Sequence, residues 1–192
     1  MSADSDERLV LVDASVFITL ARIDAIDPLL NVEGTLVVPT AVEAEITSQP
    51  ANRALLAAKS NGSVRTVDAT DRIADAARYL GKAHQEDDRS EHDTERIGGD
   101  LALVALALHR GDVGADTPGT VVVTDDKPLR KTCKALSIPI SGSIGVLVRA
   151  VERGDLDPET ATEKLYAMDE VGARLSATLV RKAERLIDEA GE

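Results

Sequence analysis
At 192 residues, with 34 acidic against 22 basic side chains, a formal net charge of −12 and 2% aromatics, the chain suits one domain with a full core and is short for two independent ones. That charge excludes a protein that grips nucleic acid through an extended basic surface, though not one in which bound metal ions supply local positive charge. The single cysteine, Cys133, excludes a disulfide framework or a zinc ribbon, and the polar, acidic start at residues 1–7 lacks the basic-then-apolar pattern of a secretion signal. With no apolar run near the length of a membrane span, the expectation is a soluble cytoplasmic protein. Arginine outnumbers lysine, and such an acidic, lysine-poor surface suits a salt-rich, halophilic cytoplasm.

Residues 9–12 (LVLV) form an unbroken apolar run of the kind a buried parallel strand needs, and residues 14–20 follow with apolar side chains at helical spacing. Asp13 thus stands at a strand's carboxyl end, where open α/β sheets bind their ligands. Residues 35–39 predict a second strand, after which Thr40 caps a helix running through Ile46 and carrying Glu43 and Glu45. Residues 51–58 read as helix, Asn61-Gly62 as a turn, residues 63–67 as a short edge strand and residues 73–80 as another helix. The polar stretch from 81 to 99 reads as a mobile loop, and within it His84 and His92, beside Asp87, Asp88 and Asp93, read as solvated rather than metal-binding.

Residues 100–108 are almost wholly apolar, which predicts a buried helix with Asp100 in its first turn and His109 against its carboxyl-terminal dipole. A Gly, Asp and Pro loop over 111–119 leads to a strand at 120–124, ending at Asp125-Asp126 just before Pro128 opens a helix over 129–136 with Cys133 in the core. Residues 138–140 predict an edge strand, because Pro139 cannot donate to a ladder. Three helical segments follow at 144–152, 158–168 and 175–190, the second opened by Asp157 as N-cap and Pro158 at the first helical position. The alternation predicts an α/β fold, a central parallel sheet flanked by helices and then a helical tail.

Asp13, Glu45, Asp100 and the Asp125-Asp126 pair stand where such a sheet would bring acids together. Carboxylates suit Mg²⁺ and Mn²⁺, which prefer oxygen ligands; several acids converging without counter-charge repel one another, and a divalent cation relieves that repulsion. Each residue also has a plainer reading. Asp13 and Asp126 serve equally as helix N-caps, Glu43 competes with Glu45 for the inward position, Asp125 is a co-ligand or a cap, and Ser15 and Thr124 bond local backbone or orient the carboxylates.

Val12-Asp13-Ala14-Ser15, Val42-Glu43-Ala44-Glu45-Ile46, Gly98-Gly99-Asp100 with the apolar residues 101–107, Val123-Thr124-Asp125-Asp126-Lys127 and Ile140-Ser141-Gly142-Ser143-Ile144-Gly145-Val146-Leu147 follow one another in a recognisable order and spacing. In these motifs the chain resembles the PIN-domain ribonucleases, in particular their toxin-like subgroup with a carboxyl-terminal helical extension. The resemblance runs almost end to end. It implies a three-layer PIN-like fold with a nuclease domain over 9–142, a helical extension over 143–190 packed on the same domain, and a disordered tail over 1–8.

It further implies Mg²⁺- or Mn²⁺-dependent endonucleolytic cleavage of RNA without a covalent intermediate. Asp13, Glu45, Asp100 and Asp126 would be catalytic metal ligands, with Ser15, Thr124 and Asp125 around them. Lys127, Arg130 and Lys131, which with Lys134 form a compact basic stretch, suit RNA phosphates or a solvated helix face about equally. A small antitoxin protein whose helix covers the cleft is the implied partner, a homodimer is left open, and the composition points to a halophilic archaeon. Two departures stand out: Gly99-Asp100 where close relatives carry Gly-Glu, and a longer acidic loop over 82–98. Among alternatives, a degenerate PIN module that binds RNA or protein without cutting sits poorly with four retained acids. A ribosomal-RNA-maturation relative needs the zinc ribbon that one cysteine cannot build, and a phosphotransfer receiver needs paired amino-terminal acids and a lysine strand not evident here.

Overall fold
The computed structural model describes residues 8–70, 98–109 and 119–192. Among the described residues, five parallel strands form one sheet: β1 (Leu9–Val12), β2 (Thr35–Pro39), β3 (Arg65–Val67), β4 (Thr120–Val123) and β5 (Ile140–Ser141), in the order β3-β2-β1-β4-β5. β1 is central, pairing Leu9 with Thr35 on one side and with Thr120 on the other. Its residues, like those of β2 and β4, are buried almost throughout, as a strand covered on both faces requires. β3 and β5 lie at the edges, β3 as expected from its short, half-polar sequence and β5 as expected from Pro139.

The helices are α1 (Ala14–Arg22), α2 (Ile26–Leu30), α3 (Thr40–Glu43), α4 (Ala51–Ser60), α5 (Gly99–His109), α6 (Lys127–Ala135), α7 (Ser143–Glu152), α8 (Pro158–Glu170) and α9 (Ala177–Ala190). Strand order rises from β1 to β3 and then returns to β4 and β5. Right-handed crossovers therefore put α1, α2 and α4 on one face and α5 and α6 on the other. α5, apolar all round and buried from Ala102 to Ala107, packs on β1, β2 and β4. α7 covers the first face beside α1 and α2, and α8 and α9 pack against it. Asp157 and Ser176 accept bonds from Thr160 N–H and Leu179 N–H and so start α8 and α9. Lys164 of α8 reaches the Asp24 carbonyl at 2.7 Å, and Arg153 reaches that of Pro28 at 3.1 Å, which stitches the extension to the α1–α2 region.

Three local expectations need correction. α2 was not foreseen. α3 ends at Glu43 rather than Ile46, because the bonds tighten from Ala44 N–H on Thr40 to Glu45 N–H on Val42 and Ile46 N–H on Glu43, and the chain then unwinds to bury Ile46. The N-cap of α3 is Pro39, without a side-chain bond, so Thr40 caps nothing. The helix expected over 73–80, all but the last residue of the loop expected over 82–98, with His84 and His92, and residues 111–118 lie outside the described residues.

Candidate active site
β1 and β4 are hydrogen-bonded neighbours with Val12 opposite Val123, so Asp13 and Thr124 emerge side by side at the sheet's carboxyl edge. The backbone continues the ladder one step, Asp13 N–H donating to Val123 O at 3.0 Å. Asp13 occupies the N-cap position of α1 but its side chain caps nothing. Instead its Oδ2 accepts the Ser15 hydroxyl at 2.5 Å and the Thr124 hydroxyl at 2.7 Å. Asp13 is 5% exposed and Thr124 fully buried, so this carboxylate is held in a fixed orientation by neutral donors. Thr124 Oγ1 in turn accepts Asp126 N–H at 3.1 Å, which makes a relay from the β4–α6 turn to the acid of the neighbouring strand.

The two acids after β4 part company. Asp126 is the N-cap of α6, its Oδ2 accepting Leu129 N–H at 2.8 Å. Asp125 turns toward the next strand, where Ser143 N–H meets its Oδ1 at 3.0 Å and the Ser143 hydroxyl meets its Oδ2 at 2.5 Å.

Glu43 and Glu45 find different partners, Glu43 half-buried and Glu45 exposed. Glu43 pairs with Lys59 of α4, whereas Glu45, in the turn after α3, accepts the backbone N–H of Gly99 through Oε1 at 3.0 Å. A Cβ on Gly99 would sit 2.8 Å from Glu45 Oε1 and 2.9 Å from Val42 Cγ2, so glycine is what allows the start of α5 to close on this turn. Asp100 follows at once, exposed in the first turn of α5. Its charge is felt on α6: burial pushes the Cys133 thiol up to about 11, and the Asp100 carboxylate adds to that rise. Glu45 is thus tied to the turn that carries Asp100, and Asp13, through Thr124, to the turn that carries Asp126.

Of the basic residues expected at RNA, Lys127 and Lys131 are exposed on α6. Arg130 is half-buried, and its Nη1 donates to the carbonyls of Thr124 and Ser141 at 2.7 Å each. His109 ends α5, exposed. Sequence reasoning missed Lys59 as the partner of Glu43, and Ser143 as that of Asp125; the Gly-Ser pair opening α7 was the available signal for the latter.

Among the described residues, no three acidic, histidine or cysteine side chains stand close enough together to enclose a metal ion. The donor chemistry nevertheless fits a hard divalent cation. The groups are carboxylate oxygens, oriented by hydroxyl and backbone N–H donors, and none of the ion pairs among the described residues uses Asp13, Glu45 or Asp126. A cavity of about 290 Å³ opens elsewhere, bounded by Arg8, Val10, Val121, Val123, Arg149 and Arg153, and none of Asp13, Glu45, Asp100 and Asp126 lines it. No helix among the described residues is long and apolar enough to cross a membrane.

Residues 99–189 match the family described as DUF3368, PIN domain. A chain of the crystal structure of VapBC2 from Rickettsia felis, bound to a DNA fragment from their promoter, is similar to this one at 13% identity and a TM-score of 0.39, over 70% of this chain and 98% of that one. No curated protein matches the chain.

Proposed function
We propose, from the match of residues 99–189 to a PIN-domain family model, that this chain is a divalent-metal-dependent RNA endonuclease of the toxin type, held in check by a small antitoxin protein. The observation that carries the reading is the buried Asp13 carboxylate at the carboxyl end of the central strand, aimed by Ser15 and Thr124, with the Asp126 N–H bonded to the same Thr124 hydroxyl. In this reading the nuclease domain spans 9–142 and the helical extension 143–190.

Asp13, Glu45, Asp100 and Asp126 would hold Mg²⁺ or Mn²⁺. Such an ion, when bound, supplies a water of lowered pKa and positive charge against the phosphodiester oxygens. The protein's own groups do the positioning. Ser15 and Thr124 fix the Asp13 carboxylate, the Gly99 N–H fixes Glu45, and the Leu129 N–H fixes one oxygen of Asp126. Like-charged carboxylates part when nothing draws them together, so the ion would also tighten the group. Lys127 and Lys131, exposed one and five residues after Asp126, would meet the RNA backbone.

A second reading, a degenerate PIN module that binds RNA or protein without cutting, is favoured by the fact that no three of these acids are gathered. Incubating the purified chain with RNA and Mn²⁺, beside Asp13→Asn prepared identically, separates the two. Cleavage by the parent that the variant loses supports the nuclease, while equal residual cleavage or none by either supports the binding module.

A further inference from the structure
We propose that Asp125, Ser143 and Arg130 form a latch that ties the helical extension to the acidic edge, and that Asp125 acts through this latch as a positioning residue rather than as a metal ligand. The inference rests on the nuclease reading for its consequence but on geometry for its parts. Both Asp125 oxygens are taken by Ser143, through the backbone N–H at 3.0 Å and the hydroxyl at 2.5 Å. Ser143 is fully buried at the first position of α7.

Arg130 Nη1 bridges the carbonyls at the ends of β4 and β5, Thr124 O and Ser141 O, while Ser141 O also accepts Thr124 N–H at 3.2 Å. The junction closes over Gly142, where a Cβ would sit 2.5 Å from Asp125 Oδ1 and 3.1 Å from Arg130 Nη1. A residue larger than glycine there would displace the very groups that meet across it.

β5 is two residues long, so its ladder alone pins the start of α7 weakly. The latch adds four bonds at that point, all converging on residues 124 and 125 or on the carbonyl of Ser141. What it holds is the backbone of Thr124, whose hydroxyl aims Asp13 and receives Asp126 N–H. The Gly-Ser start of α7 thereby gains a reason: it fixes, through one intermediate turn, the geometry of two of the proposed ligands without touching them.

The test compares the full chain with Ser143→Ala, Asp125→Ala and the double variant, by Mn²⁺ titration calorimetry and by amide hydrogen exchange at Thr124 and Asp126. Ser143→Ala leaves every acid in place. The latch predicts about tenfold weaker Mn²⁺ binding for it and for Asp125→Ala alike, as for other groups that orient ligands. The double variant should be little weaker than Asp125→Ala, since both changes act on the same link. Exchange at Thr124 and Asp126 should quicken in Ser143→Ala. Parental affinity in Ser143→Ala with a loss in Asp125→Ala alone would make Asp125 a ligand and overturn the proposal, as would parental affinity in both. Should the parent itself bind no Mn²⁺, the nuclease reading falls and exchange alone decides the latch: unchanged protection at Thr124 and Asp126 in Ser143→Ala overturns it.

Discussion

Asp13 and Asp126 each stand at the N-cap of the helix that follows one of two neighbouring strands, yet their carboxylates do different work. Asp126 spends Oδ2 on the Leu129 N–H of its own helix. Asp13 gives its helix nothing and is instead held from outside it, by a hydroxyl two residues on and another 111 residues away. Asp125 shows a third outcome, bonded wholly to the next crossover. Position at a strand end therefore only brings an acid to the edge. The donors that meet its oxygens decide whether it is a helix cap, a latch or a group aimed at the cleft.

The largest expected effect breaks the comparison at Asp13. Asp13→Asn should lower Mn²⁺-dependent RNA cleavage by about a hundredfold or more, because losing a mere orienting partner of a metal ligand already costs about 10–100-fold. Cleavage within a few-fold of the parent, in protein freed of contaminating nuclease, would remove Asp13 from the mechanism.

On the β4 side, Cys133 makes stability sensitive to alkali. Its thiol titrates near 9.0 when unburied and at about 11 in the fold, so the folded chain holds that proton more tightly. The contribution is complete below about pH 9 and is lost as pH rises toward 11; two units at about 1.4 kcal/mol each bound it at roughly 2–3 kcal/mol. Urea melts of the parent and Cys133→Ala across that window should converge by up to this amount. Asp100→Asn should move the parent's window down by a smaller step, burial being the larger cause.

Thr124→Val removes a fully buried hydroxyl that bonds at both ends and should destabilise the fold by about 2 kcal/mol, while Ser15→Ala, at a half-buried site, should cost about half as much. Equal losses in chemical melts would show that the two hydroxyls are interchangeable. The smallest effect separates capping from ligation: Asp126→Ala should cost about 1 kcal/mol, whereas Asp126→Asn, an equally good cap, should keep the parent's melting temperature and lose only the stabilisation by Mn²⁺. An Asn variant still raised by Mn²⁺ as far as the parent would leave Asp126 a cap alone.

Much of this was legible in the sequence because burial on both faces writes itself as unbroken apolar runs. Residues 9–12, 35–39 and 120–124 read as strands from that pattern, but which strands are neighbours, and so that Asp13 stands beside Thr124, only the sheet shows. Short elements were not legible. The five residues of α2 span less than two turns, too few to display a helical period, and α3 stops early because Ile46 is drawn into the core. Choices between neighbouring acids were equally hidden. Glu43 is claimed by Lys59 and Asp125 by Ser143, partners 16 and 18 residues away that only packing brings near. Arg130, read from its neighbours as part of a basic stretch, also bridges the carbonyls of Thr124 and Ser141, a task that leaves no trace in charge pattern.

The hydrogen bond between Thr124 and Asp13 closes a span of 111 residues. Pairings so distant in sequence form late, since a long loop must close before they can contribute. During synthesis the central strand waits, its acid supported by Ser15 alone, until β4 has been made and slots in beside it. The full set of bonds on the Asp13 carboxylate therefore cannot exist until residue 124 of 192 has been made, so the edge is completed late in the making of the chain.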